Sequence, residues 1–160
     1  MKKTTCFILA MLTVSGTKAV DGWPAGVREV RYPSTADKTK QPALFYSPDA
    51  KEPRPLLVGL HTWSSDYKNG YDIPYAKWCV EQGWVFIHPN VRGPNRRPEA
   101  CGSELMVKDI SSAVEWAAKQ AAVDRDRIYL VGTSGGGHAA LLLAGRLPEL
   151  WAGVSAWVGI

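Results

Sequence analysis

The segment that most restricts the fold of this chain is a five-residue turn, Gly132-Thr133-Ser134-Gly135-Gly136. The apolar run RIYLVG, typical of a buried strand, comes directly before it, and the run AALLLAGRL, typical of a helix, follows closely. A chain that passes from strand to helix through so short a turn must bend sharply. The pattern therefore predicts a strand-turn-helix unit with Ser134 at its tip.

The spacing G-x-S-x-G in this turn has a steric explanation. A residue at such a tip takes a positive φ, and the positions two before and two after it approach neighbouring backbone too closely for side chains. Gly132 and Gly136 leave that room. The Gly135 amide opens the helix and points, with the positive end of the helix dipole, to where an oxyanion would form. Ser134 is therefore the predicted nucleophile.

These glycines allow two other interpretations. A phosphate-binding loop requires G-x-G-x-x-G or G-x-x-x-x-G-K-[ST], and this segment has neither the lysine nor a downstream acid that would bind a ribose. The second interpretation is a glycine-rich turn between strand and helix in which the serine is incidental and has no catalytic role.

Strand-like and helix-like runs alternate along the rest of the chain. Residues 26–34 and 42–48 predict an initial antiparallel pair. Further strands are predicted at 55–61, 84–89, 127–132 and 153–160, and helices at 74–82, 105–123 and 135–147. Ser103 is available as a cap for the second of these helices. Such alternation predicts an α/β fold, with a mostly parallel sheet and helices on both faces. The long loop of residues 90–103 predicts a functional segment or a lid.

The first nineteen residues resemble a secretory signal. Lys2 and Lys3 precede an apolar stretch over residues 6–14, and a short segment typical of a cleavage site, residues 17–19, ends at Ala19. The apolar stretch is shorter than the roughly 20 residues that span a bilayer. We therefore expect cleavage after Ala19, a secreted or periplasmic protein without a stable membrane anchor, and one domain over residues 20–160, with an uncleaved anchor as the alternative.

The net charge of +4 comes mostly from three lysines in those nineteen residues, which leaves 16 basic against 15 acidic residues. The one dense basic run is Arg92, Arg96 and Arg97. Nucleic acid is therefore not an expected partner. The two cysteines that follow the signal and the three scattered histidines offer no metal-ligand spacing, so no metal is expected. Serine acyl transfer needs no cofactor, so none is expected.

Cys79 and Cys101 are the two cysteines that follow the signal. An even number of cysteines in an oxidising compartment predicts a disulfide between them. The alternative is two buried thiols, because Cys79 shares an apolar helix face with Tyr75 and Trp78.

The second oxyanion donor is expected in the loop after the third strand, His61-Thr62-Trp63. The Trp63 amide is the first choice and the Thr62 amide the second, although an aromatic side chain at this place also serves to cover the core. His61 is expected to position this loop, and His88 to bind a neighbouring loop. His138 is expected to be carried away from the Ser134 hydroxyl along its helix.

Four charged residues near the predicted site are assigned structural roles. Asp66, Asp72 and Asp109 are interpreted as loop and cap residues, because the acid of a catalytic triad belongs after a later strand. Arg92 is interpreted as a solvated charge, and the alternative is that it reaches the mouth of the site or pairs with an acid there.

Together the segments GTSGGGHAA, VDRDRIYLVG, HTW after LLVGL, and NVRGPN after WVFIHP resemble the catalytic domain of the prolyl oligopeptidase family of α/β-hydrolases, over residues 43–160. The resemblance implies a serine hydrolase that cleaves peptide or ester substrates through an acyl-enzyme. The alternatives are a secreted carbohydrate or carboxylic esterase of the same fold, and a non-catalytic binding module.

The sequence departs from this family in two ways. It contains no β-propeller, and it ends at Ile160, whereas the triad order Ser, Asp or Glu, His places both partners of Ser134 later in the chain. We therefore expect the N-terminal part of a longer hydrolase, inactive by itself and poorly soluble because its last strand forms an exposed edge. The sequence names neither the exact substrate nor the oligomeric state.

Overall fold

The computed structural model describes residues 19–159, so the expected signal, apart from Ala19, lies outside the described residues, as does Ile160. Six strands form one sheet in the order β1-β2-β4-β3-β5-β6. The strands are β1 (Arg28–Pro33), β2 (Lys40–Tyr46), β3 (Arg54–Leu60), β4 (Val85–Pro89), β5 (Val123–Thr133) and β6 (Gly153–Trp157). Three helices connect them: α1 (Ile73–Gln82), α2 (Glu104–Gln120) and α3 (Gly135–Arg146).

The sheet has an antiparallel part and a parallel part. Strand β1 pairs antiparallel with β2, and β2 pairs antiparallel with β4. The pairs β4 with β3, β3 with β5, and β5 with β6 are all parallel. The α/β class, the initial antiparallel pair and the mostly parallel remainder are thus confirmed. Since β3, β4 and β5 run in one direction, the loops that follow them meet at one end of the sheet.

Helices cover both faces of the sheet. On one face, α2 and α3 pack Ile110 and Leu143 into a core that also contains Val58 and Leu130. On the other face, α1 packs on a second cluster, which contains Leu57 and Phe86 of the sheet. Each buried side chain of this size stabilises the fold by about 1.5–3 kcal/mol. The sheet is therefore a rigid support for the loops at its carboxyl end.

Two helix ends follow local sequence signals, and a third does not. Helix α1 ends at Gln82, before Gly83, as predicted. Ser103 accepts a hydrogen bond from the Met106 amide at 3.2 Å and begins α2 as predicted. The prediction that this helix extends to Val123 is wrong. It ends at Gln120, because Val123 pairs with Arg54 and already belongs to β5. Pairing with a neighbouring strand thus decides the state of residues that helical periodicity had assigned to a helix.

The predicted disulfide between Cys79 and Cys101 is wrong, because both thiols are free. Cys79 is buried with the α1 cluster on one face of the sheet. Cys101 is exposed in the loop before α2, beside Met106 and Ala139 on the other face. The sheet separates the two sulfur atoms. Burial raises the pKa of the Cys79 thiol to about 12, which keeps it protonated and unreactive.

Strand β6 pairs only with β5 among the strands of the described part of the chain, and its Trp157 is 59% exposed. This agrees with the exposed edge expected from the sequence.

Within residues 19–159, each helix is too short or too polar to cross a membrane.

Candidate active site

Ser134 lies at the tip of the turn between β5 and α3, with φ 56° and ψ −121°. Non-glycine residues rarely adopt a positive φ, so neighbouring contacts must hold this backbone in place. The Ser134 amide donates to the Trp157 carbonyl at 2.9 Å, and the Ser134 carbonyl accepts from the His138 amide at 2.9 Å. Strand β6 and the first turn of α3 therefore fix the serine between them.

The two outer glycines of the turn are required by backbone contacts. A Cβ added to Gly132 would lie 2.2 Å from the Gly136 carbonyl oxygen, and a Cβ added to Gly136 would lie 2.2 Å from the Leu60 carbonyl oxygen. Backbone atoms cannot move away as a flexible side chain can. The second contact also brings the turn against the end of β3, where the loop of the expected oxyanion donor begins.

Gly135 and Trp63, the two expected oxyanion residues, lie against each other beside Ser134. A Cβ added to Gly135 would lie 1.7 Å from Trp63 Cδ1, so the indole ring rests on the Cα of this glycine. The Gly135 amide belongs to the first turn of α3, where backbone N–H groups have no acceptor within the helix. The Trp63 carbonyl accepts a hydrogen bond from the Asn95 amide at 2.8 Å. The loop of residues 90–103 thus supports the Trp63 loop.

A cleft of about 450 Å³ opens in front of Ser134. It is lined by Thr62, Trp63, Ser64, Tyr71, Thr133 and Ser134. Tyr71 is not among the residues predicted from the sequence, because it is far from Ser134 along the chain. The sequence does contain one signal for a turn at this place, the pair Asn69-Gly70 directly before Tyr71. Asn69 Oδ1 accepts a hydrogen bond from the Tyr71 amide at 2.8 Å, and the resulting turn directs the chain towards the site.

His61 links the two loops that border the nucleophile. Its Nδ1 lies 2.9 Å from the Thr62 carbonyl oxygen, and its Nε2 lies 2.6 Å from the Asn90 carbonyl oxygen. The Thr62 carbonyl belongs to the same peptide unit as the Trp63 N–H. Contact with His61 therefore restricts the orientation of the expected oxyanion donor. Both contacts are to acceptors, so a neutral ring, which has one N–H, donates to only one of them at a time.

His88 and His138 are placed differently from His61. The His88 Nδ1 donates to the Tyr67 carbonyl at 2.8 Å, and its Nε2 lies 2.9 Å from Asp72 Oδ2 in a buried pair. Asp72 is thus a buried partner of His88 rather than a simple cap. His138 is exposed on α3, with its ring edge-on to Trp63 at 5.9 Å between centroids. Within residues 19–159, no histidine ring is a hydrogen-bond partner of the Ser134 hydroxyl.

The interpretation of Arg92 as a solvated charge is wrong, as is that of Asp109 as a loop or cap residue. The Arg92 side chain is 12% exposed, and its Nη2 donates to the buried Asp109 at 3.0 Å while its Nη1 donates to Asp37 at 2.8 Å. Val91 and Arg92 have φ values of 48° and 69°, which fold the arginine back onto α2. The guanidinium holds the pKa of Asp37 well below its usual range. These contacts anchor the start of the loop that supports Trp63.

Asp66 behaves as a loop residue, as expected, because its Oδ1 accepts from the Lys68 amide at 2.9 Å. No three histidine, cysteine or acidic side chains lie close enough together within residues 19–159 to hold a metal ion.

Two glycines of α3 give a matched test of the close contact between the turn and β3. We expect Gly136→Ala to reduce the free energy of unfolding by about 3 kcal/mol or more, because its Cβ meets the Leu60 carbonyl. Gly145 has open space around its Cβ position, so Gly145→Ala should stabilise the protein by up to about 1 kcal/mol. Urea unfolding of both variants measures the difference, and similar values for the two would contradict the steric explanation.

The lowered pKa of His61 predicts that the free energy of unfolding depends on pH. Burial lowers its pKa below the ordinary value of 6.5; the nearby His88 acts in the same direction, and the two carbonyls and Asp72 oppose it. The unfolded chain therefore binds this proton more readily than the folded chain. The contribution of His61 to stability is present above pH 6.5 and is lost as the pH falls through the folded pKa.

We therefore expect the free energy of unfolding to decrease from about pH 7 to about pH 5, and to decrease less steeply in His61→Gln. Denaturant unfolding at a series of pH values measures both slopes. The exposed His138, changed to Gln, is the control and should leave the slope as it is. An unchanged slope in His61→Gln would contradict the prediction.

The sequence and the fold of this chain are similar to those of known proteins. The family model described as "Prolyl oligopeptidase family" matches residues 71–160. Dipeptidyl aminopeptidase BIII of Pseudoxanthomonas mexicana is 31% identical over 113 residues, which cover 65% of this chain and 16% of that protein. Acetylxylan esterase A of Emericella nidulans is 23% identical over 113 residues, which cover 66% of this chain and 37% of that protein.

Among solved structures, the uncomplexed acylaminoacyl peptidase of Pyrococcus horikoshii matches with a TM-score of 0.69 at 22% identity, over 84% of this chain and 23% of that chain. This similarity confirms the expected α/β-hydrolase fold. The chain spans less than two thirds of the length of each of these three proteins. Because the family model covers more than half of the sequence and the fold agrees with it, the chain belongs to the prolyl oligopeptidase family.

Proposed function

We propose that the protein is a serine hydrolase that cleaves peptide or ester bonds through an acyl-enzyme on Ser134. The observation that carries this proposal is the strained backbone of Ser134, at φ 56°, next to Gly135 at the start of α3 and open to a cleft that Trp63 also lines. Strain of this kind is maintained where it places a reactive group. The peptidase and esterase among the similar proteins support hydrolysis of both kinds of bond.

Each residue of the site has one role in this reaction. The Ser134 oxygen forms a bond with the acyl carbon, and the carbonyl electrons move to its oxygen, where the Gly135 and Trp63 amides stabilise the negative charge. During this attack the Ser134 hydroxyl proton passes to a general base. The bond to the amine or alcohol then breaks, and the base gives that proton to the leaving group. Water releases the acyl group from Ser134 in a second step. One such oxyanion donor contributes a factor of about 10²–10³ to kcat.

The general base of this reaction is proposed to come from outside the described residues. The two buried histidines bind carbonyl groups or Asp72, and His138 faces Trp63. A serine hydroxyl without a base is a weak nucleophile. The proposal therefore assigns the histidine and acid of the triad to residues that follow this segment in a longer protein.

It follows that the purified 160-residue chain should not turn over a simple ester. We expect hydrolysis of p-nitrophenyl acetate at the same rate for this chain and for its Ser134→Ala variant, because no base activates the hydroxyl. Turnover by the chain that is lost in Ser134→Ala would mean that one of its own histidines is the base.

In the protein as its source organism makes it, a fluorophosphonate probe should label Ser134. Mass spectrometry of the labelled peptide identifies the site, and the presence of the labelled protein outside the cytoplasm tests the proposed export. Ser134→Ala should abolish labelling. Ser111→Ala, which removes a hydroxyl on α2 that does not line this cleft, should leave it unchanged.

Labelling that persists in Ser134→Ala would contradict the proposal that Ser134 is the nucleophile. A folded protein that never reacts with the probe would support the non-catalytic binding module instead.

A further inference from the structure

The cleft in front of Ser134 has an uncharged lining. Two of its residues, Trp63 and Tyr71, are aromatic, and the other four, Thr62, Ser64, Thr133 and Ser134, carry hydroxyl groups. No carboxylate, ammonium or guanidinium group of residues 19–159 is part of this lining. The walls thus combine flat apolar rings with hydroxyl groups that both donate and accept hydrogen bonds.

The two aromatic side chains of the cleft leave much of their surface exposed. Trp63 is 43% exposed and Tyr71 is 76% exposed, although burial of such rings is favourable. Exposed aromatic surface next to a reactive serine marks a place where a ligand covers it.

The position of Trp63 is fixed on two sides. Its ring rests on Gly135, and the ring of His138 meets it edge-on. The chain at Tyr71 is also anchored, because Asn69 binds the Tyr71 amide and the next residue, Asp72, is buried against His88. Tyr71 therefore offers its ring from a fixed backbone. Binding on such surfaces orders few additional groups, which favours affinity.

A pyranose ring combines the two properties that this lining complements. Its C–H groups form flat apolar faces that stack on aromatic rings, and its rim carries hydroxyl groups that bind Thr and Ser side chains. A peptide with a charged terminus, in contrast, finds no opposite charge among the residues that line the cleft.

From these observations we propose that the cleft binds the sugar ring of a neutral carbohydrate ester, with Trp63 and Tyr71 as its stacking surfaces. This inference rests on the proposed function, since it names the substrate class for acyl transfer to Ser134. It also makes Trp63 and Tyr71 specificity-determining residues. The hydroxyl groups of Thr62, Ser64 and Thr133 are the proposed partners of the sugar rim.

The test measures binding rather than turnover, and uses the full chain with Ser134→Ala, so that its result does not depend on Ser134 as the nucleophile. The probes are mono-acetylated methyl β-D-xylopyranoside and the uncharged peptide acetyl-Ala-Pro-amide. Saturation-transfer NMR should show contact with the C–H face of the sugar, and a titration gives its Kd. We expect the sugar ester to bind more tightly than the peptide.

Tyr71→Ala and Trp63→Ala should each raise the Kd for the sugar ester about tenfold, and Tyr71→Phe should restore it, since the ring rather than the hydroxyl stacks. Trp78→Ala is the matched control, because Trp78 is also 43% exposed but lies on α1 and does not line this cleft. Tyr71 is so exposed that its replacement leaves folding intact, which keeps the test valid if Trp63→Ala unfolds.

Three results would overturn the inference. The first is sugar binding that does not change in Tyr71→Ala. The second is an equal loss in Trp78→Ala. The third is tighter binding of the peptide with the same dependence on Tyr71, which would assign the cleft to peptides and leave the proposed acyl transfer at Ser134 in place.

Discussion

The structure around Ser134 depends on one close approach between backbone segments. Gly136 lies so near the Leu60 carbonyl, and Gly132 so near Gly136, that neither glycine can carry a side chain. This contact joins the first turn of α3 to the end of β3. It places the serine beside the loop that follows β3. The absence of two Cβ atoms, which is a local property of the sequence, therefore determines a contact between segments that are far apart in the chain.

A second set of contacts transmits the rigidity of the core to the Trp63 loop. Arg92 is fixed by the buried Asp109 on α2, and the loop that begins there supplies the Asn95 amide to the Trp63 carbonyl. His61 contacts the Thr62 carbonyl on the other side of the same residue. The expected oxyanion donor is thus held by a charged pair and by an imidazole ring, and both are shielded from water, where such interactions are stronger.

The buried polar groups near the site are arranged to hold loops, and this explains why they do not act on the serine. His88 has Asp72 and the Tyr67 carbonyl as its partners, and His61 has two carbonyls. A buried ring that gave up such a partner would leave a polar group unpaired, at a cost of about 1–3 kcal/mol. The site described here is therefore a nucleophile with its oxyanion donors and cleft, to which the proposed function adds a base from elsewhere.

Local rules were enough to predict the strand-turn-helix unit, the α/β class, the position of Ser134 and the start of α2 at Ser103, because each depends on residues within a few positions of one another. They failed for the end of α2, the predicted disulfide, and the roles of Arg92 and Asp109. Those features depend on which strand pairs with which and on which face a side chain lies.

The sequence by itself determined the bend and its glycines, since the steric limits at Ser134 are local. Only the tertiary structure decided that Tyr71 lies in the same cleft as the serine and that Cys79 and Cys101 lie apart, because the sheet sets those distances.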